Sequence, residues 1–227
     1  MKFHPTLLAA AAAVMAVAAP ATAAANTQVT LDFEAASSFA SVAALYAAQG
    51  ISFDDAALAL TNDGTGSGTS GAFFTNAPTP GSSNPLAGTV MFVDAASGSA
   101  VMNLSAGATH PFTGFEGRVS FDYASTVDAF NLVQVYAGLN GTGKRLAKIS
   151  LSENQIDSGC SSSSFCNWQN VSVSFNGTAH SLVFASNGGN IAYDNISISA
   201  VPEPETYLLL VAGLFTVGFV ARRRRQL

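Results

Sequence analysis

Apolar and polar residues alternate with period two along most of the middle of this chain. Residues 27–33 (TQVTLDF), 117–123 (GRVSFDY), 130–136 (FNLVQVY), 170–175 (NVSVSF) and 195–199 (NISIS) each set β-branched or aromatic residues against polar ones. Successive side chains of a strand point to opposite faces, so this alternation predicts half-buried strands. Residues 89–93 (TVMFV), 146–151 (LAKISL) and 180–184 (HSLVF) predict three more. Segments rich in Gly, Asn and Ser at 139–144, 175–179 and 186–190 read as the turns between them. Many short strands with one apolar face each predict an all-β fold, an antiparallel β-sandwich of jelly-roll type. One stretch departs from the pattern. Phe39, Val42, Ala43 and Tyr46 fall at helical spacing, with Ser37 or Ser38 as N-cap and Gly50 past the end. It predicts one short helix packed on an end of the sandwich. Residues 61–88, heavy in Gly, Ser, Thr, Asn and Pro, predict a long surface loop.

The two ends follow different rules. Lys2 gives a positive start, Leu7 to Ala19 an apolar core, and Ala21-Thr22-Ala23 a small-residue cleavage site. That order is a secretory signal peptide over residues 1–23, which is removed and tells nothing about the fold. At the other end, Pro202-Glu203-Pro204 is stiff and non-helical, because proline fixes φ and removes a donor. Residues 206–221 are uncharged and dominated by Leu, Val, Phe, Gly and Ala. They predict a short transmembrane helix, since lipid demands that every backbone group be paired internally. At 16 residues it falls short of the roughly 20 usually needed to span. Arg222, Arg223, Arg224 and Arg225 then hold that end on the cytoplasmic side.

The order of Pro-Glu-Pro, short apolar helix, arginine block and chain end closely resembles the PEP-CTERM sorting signal of Gram-negative bacteria. The resemblance implies a transient anchor in the inner membrane, an exosortase-type membrane protease cutting at the motif, and delivery to the cell surface or an exopolysaccharide matrix. The chain thus divides into a signal peptide (1–23), an exported sandwich domain (24–200) and a sorting signal (201–227).

Charge narrows the partners. Residues 26–200 hold twelve acidic and four basic side chains, a net charge of −8. Such a surface repels nucleic acid and suits cation binding or simple solubility. Cys160 and Cys166 are the two cysteines, separated by four serines and Phe165. In an oxidising export compartment they predict a structural disulfide across a flexible loop.

Reactive groups are sparse. His110 and His180 stand in no metal-binding or nucleophile-elbow pattern, and no serine sits in a Gly-x-Ser-x-Gly elbow. No catalytic residue is assigned, and the chain is expected not to be an enzyme. Asp32 and Glu34 share a face of the first strand, and Asp194 lies on the last. First and last strands of a jelly roll often run side by side, so these carboxylates form a candidate Ca²⁺ site of hard oxygen ligands. The Asp-Phe-Glu opening and Tyr-Asp-Asn-Ile ending also resemble carbohydrate-binding jelly-roll modules with a structural calcium. Where those modules often carry two acids before the last strand, this chain has Asp194-Asn195. Trp168, the one tryptophan, is either a core aromatic or a sugar-stacking contact.

Three readings remain: a non-enzymatic surface or matrix protein, a calcium-stabilised carbohydrate-binding module, and a hydrolase of matrix polysaccharide working through Asp32 and Glu34.

Overall fold

A computed structural model of the chain describes residues 26–62, 72–79, 84, 86–106, 112–155, 163–202 and 213. The predicted signal peptide lies outside these residues. So does the transmembrane segment except Gly213, and among the described residues no helix is long and apolar enough to cross a membrane.

Thirteen strands are described. They are β1 (Thr27–Leu31), β2 (Ile51–Phe53), β3 (Ala57–Thr61), β4 (Ala72–Phe74), β5 (Thr89–Val93), β6 (Ser99–Leu104) and β7 (Phe112–Ser125). After them come β8 (Ala129–Tyr136), β9 (Arg145–Leu151), β10 (Ser163–Phe165), β11 (Gln169–Ser174), β12 (Ser181–Ala185) and β13 (Ile191–Pro202). One sheet runs β11-β7-β13-β5-β3, with β1 also paired to β13; the facing sheet runs β2-β6-β12-β8-β9. All pairs within these two sheets are antiparallel, so the all-β sandwich reading is correct.

Inward positions of both sheets share one core. Val119, Phe121, Ile196 and Ile198 of the first sheet meet Met102, Leu104, Val133, Val135, Leu182 and Phe184 of the second. Phe184 packs edge-on against Phe121 and Tyr193, with centroids 6.3 and 5.1 Å apart, which ties the sheets at mid-height.

A smaller core covers the outer face of the first sheet. There β4 and β10 pair in parallel. They lay Phe74, Phe165 and Trp168 over Leu60, Val90, Ala124 and Ala192. This explains why β3 (ALALT) and β5 (TVMFV) lack clean alternation: both their faces are buried.

The predicted helix is corrected by the structure. Residues 43–50 turn rather than wind, ending in a single 3₁₀ turn over Ala47–Gln49. Gly50 does cap it at φ 75°. The preceding residues spend their backbone on the edge of β3 instead: Phe39 N–H donates to Ala59 O, Ala59 N–H to Ala40 O, and Val42 N–H to Ala57 O. Those bonds replace the i→i−4 bonds of a helix. Val42 and Tyr46 are buried as their spacing suggested. The predicted loop at 61–88 is also interrupted by a strand, β4.

Candidate functional site

Strand β13 changes partners halfway. Its first part pairs with β5 through Ala192↔Phe92 and Tyr193↔Met91. Its second part pairs with β1 from Ile196↔Leu31 to Ala200↔Thr27. On the other flank β7 runs alongside throughout, with a register shift between Asp194 and Ser197. Asn195 sits in that irregularity at φ 49°, a left-handed conformation that asparagine tolerates better than most side chains. Before the bulge both faces of β13 are covered, Ile191 and Tyr193 by the shared core and Ala192 by the smaller one, so Ile191 to Asp194 are all buried in succession. Asp194, opposite Asp122 of β7, is thereby driven inside with 1% of its surface exposed.

Its hydrogen bonding is incomplete. Asp194 Oδ1 accepts from the N–H of Asn195 at 2.7 Å. Asp194 Oδ2 is buried with no hydrogen-bond partner among the described residues. Burial pushes the Asp194 carboxyl up to about 8; the Asn195 N–H opposes this, and Glu34, Asp122 and Asp32 add repulsion. Glu34 is raised too, by burial first, against the bond it accepts from Thr89 N–H at 3.3 Å, and then by Asp32. Around them, Asn195 Nδ2 donates to Pro78 O and Asp122 Oδ2, while Asn170 Nδ2 donates to Asp122 Oδ1.

The backbone after β1 is shaped to bring its acids here. Phe33 has φ 58° and is fully buried against Tyr46 and Phe53. Its N–H donates to the Tyr46 hydroxyl, which in turn donates to Asp32 Oδ1 at 3.4 Å. Burial holds the Tyr46 hydroxyl far above its ordinary value, so it stays a neutral donor. Gly88, at φ 104°, lets the chain entering β5 pass close by. A Cβ there would sit 2.1 Å from Thr79 Oγ1 and 3.3 Å from Glu34 Oε1.

Asp32, Glu34 and Asp194 repel one another electrostatically, and Asp122, which sequence reasoning missed, adds to the repulsion on Asp194. Its signal lay in GRVSFDY, where it reads only as the outward residue of a strand. The donor set is all oxygen, suited to a hard cation. Among the described residues no group of three or more His, Cys, Asp or Glu side chains stands ready to hold a metal ion.

Other candidates are placed as follows. Trp168 is half-buried in the smaller core, edge-on to Phe74 at 6.3 Å, with its indole N–H donated to Thr75 O. Cys166 is not a free thiol; Cys160 lies outside the described residues. Pro202 ends β13, while Glu203, Pro204 and Arg222 to Arg225 lie outside the described residues. His180 Nδ1 is bonded to Ala137 O, a structural use, and His110 is not described. Apart from these candidates, Asp54 accepts from the N–H of Ala56 in its own turn and from that of Val101 on β6.

A cavity of about 280 Å³ was not foreseen. Phe39, Leu60, Phe73, Phe92 and Phe165 line it, with Thr126, Ser164, Gly189 and Asn190. Its strongest cue is Phe39, 57% exposed at φ 60° and edge-on to both Phe73 and Phe92. None of its lining side chains titrates.

Residues 200–225 match the family model of the PEP-CTERM protein-sorting motif, so the chain carries that motif. No curated protein matches the chain. Among solved structures, the K2 cleaved adhesin domain of Lys-gingipain is similar at 15% identity and TM-score 0.47, over 76% of this chain and 99% of that one. A family 6 carbohydrate-binding module is similar at 13% identity and TM-score 0.40, over 80% and 99%. The K1 cleaved adhesin domain of Lys-gingipain from Porphyromonas gingivalis W83 follows at 12% identity and TM-score 0.39, over 77% and 98%.

Proposed function

We propose that this chain is an exported, non-catalytic β-sandwich delivered to the surface or exopolysaccharide matrix of a Gram-negative cell. The sorting motif at residues 200–225 carries this reading, because such a signal implies export and membrane-anchored surface sorting. An exosortase-type protease would cut at Pro202-Glu203-Pro204 while residues 206–221 and the four arginines hold the chain in the inner membrane. Cys160 and Cys166 would close a disulfide that fixes the segment leading into β10, in keeping with export. Replacing Pro202, Glu203 and Pro204 by alanine tests the route. The variant should stay in the membrane fraction and be refractory to surface biotinylation; surface labelling equal to that of the parent chain would overturn the reading.

A second reading adds calcium-stabilised carbohydrate binding. Its support is the unpartnered Asp194 Oδ2, a buried oxygen beside three further carboxylates. Asp194, Glu34 and Asp32, joined by Asp122, would hold Ca²⁺, which would supply a positive charge beside the buried Asp194 and the more open acids around it. The aromatic cavity at Phe39 and the remaining open surface of Trp168 are the places where a neutral sugar would stack.

A further inference from the structure

The exported domain is poor in positive charge, and most of what it has lies in one place. Of its four basic residues, Lys144, Arg145 and Lys148 fall within five positions at the start of β9. All three are exposed, and none forms an ion pair with any described residue. The acids on these strands are kept apart from them. Asp128 and Glu153 flank the far end of the β8–β9 ladder, beyond Ala129↔Leu151, and bond to each other through Glu153 N–H.

The strip is held rigidly. Lys148 lies opposite Gln134, and Arg145 opposite Tyr136. Gln134 Oε1 accepts from an Arg145 N–H at 3.0 Å and from the Tyr136 hydroxyl at 2.8 Å. A neutral amide thus orients the guanidinium without cancelling its charge, leaving the rest of its donor fork open. The turn between the strands is pinned as well. Asn103 and Asn140 bond reciprocally, Gly141 N–H donates to Ser181 Oγ, and Ser181 Oγ donates to Gly138 O. Gly141, at φ 67°, packs so closely that a Cβ would meet Val183 Cγ2 at 2.7 Å. A preorganised cationic strip loses little entropy on binding.

We infer that the outer face of β8 and β9, through Lys144, Arg145 and Lys148, binds a carboxylated polysaccharide chain. The inference deepens the proposed surface role by naming the class of polymer, and it rests on that reading for its setting. The chemistry selects this occupant. A guanidinium and two ammonium groups match carboxylates, while Asn103, Asn140 and the Tyr136 hydroxyl beside them match sugar hydroxyls. The remainder of the domain, with twelve acids, repels a densely charged duplex. The exposed apolar groups here are two and lie apart, Leu139 at the turn (41% exposed) and Phe130 at the far end of β8 (83% exposed), with polar strand between them, too little to seat on lipid.

Affinity electrophoresis of the full-length protein in gels containing polygalacturonate, dextran or no polymer tests this. Polygalacturonate should retard the chain and dextran should not, with retardation lost as salt rises. The K144Q/R145Q/K148Q variant should bind about tenfold more weakly. R118Q, which removes a cation on β7 bonded to Ser172, should bind as the parent does. Equal retardation by dextran, an equal loss in R118Q, an unaffected triple variant, or tighter binding to DNA or anionic vesicles would each overturn the inference. Failure of the sorting reading would appear elsewhere, as a tail retained on surface protein, and leaves these gels unchanged.

Discussion

At residue scale one carboxyl governs how the acidic site responds to pH and cations. The Asp194 side chain is buried, half-bonded and raised to about 8, so without a cation the folded state keeps its proton. The unfolded chain ionises this group near its ordinary value of about 4. Between these two values the unfolded state loses the proton first. Metal-free stability should therefore fall as pH climbs from about 4 to about 8, in a window set by that shift. Glu34, also raised, acts in the same direction. A bound cation favours the charged form and should flatten the slope. Melting measured from pH 4 to 8 in chelator should decline, and excess Ca²⁺ should raise the neutral-pH melting temperature by about 5–10 °C at a hundredfold excess over Kd. Asp194→Asn should remove the calcium effect and most of the slope, leaving the part due to Glu34. Identical profiles with calcium and chelator, in protein verified metal-free, would sink the cation site.

At element scale, the legible strands were those rich in Val, Ile, Phe and Tyr with one wet face: β7, β8, β11 and β13 announce themselves. Strand β6 alternates as cleanly in burial, yet it places Ala100, Met102 and Leu104 inside, none of them β-branched or aromatic, and turns its one β-branched residue, Val101, to the outer face. Strand β10 is three residues, two of them serine, and exists only because β4 pairs with it. Helical spacing from Phe39 to Tyr46 located the burial of Val42 and Tyr46 but not the exposure of Phe39, and it gave the conformation wrongly, since periodicity over two turns cannot see that β3 offers an open edge. The bulge at Asn195 had no cue in NISIS, although it sets the register in which Ile196 and Ile198 return to the core after Tyr193. The segment before β10 yields a direct prediction. Non-reducing peptide mapping of exported protein should recover Cys160 and Cys166 in one linked species, and alkylatable thiols in freshly isolated material would contradict it.

At the scale of the whole molecule, the two sheets, their shared core and the smaller outer core make a platform on which the distinguishing features are local. Acids gather where β13 exchanges β5 for β1; cations gather on β8 and β9 of the opposite sheet. The sandwich class was readable because alternation is a property of each strand alone. The pairing of β1 with β13 followed from the expectation that first and last strands adjoin. The strand order, the outer core and the aromatic cavity depend on contacts between residues far apart in the chain, and no local pattern encodes them. Function rests above all on the tail, which instructs the cell where to put this platform. Intact-mass analysis of the protein recovered from the cell surface or medium tests that most directly. The expected surface form begins near Ala24 and ends within the region of Pro202 to Glu205; one still bearing Arg222 to Arg225 would contradict the sorting role.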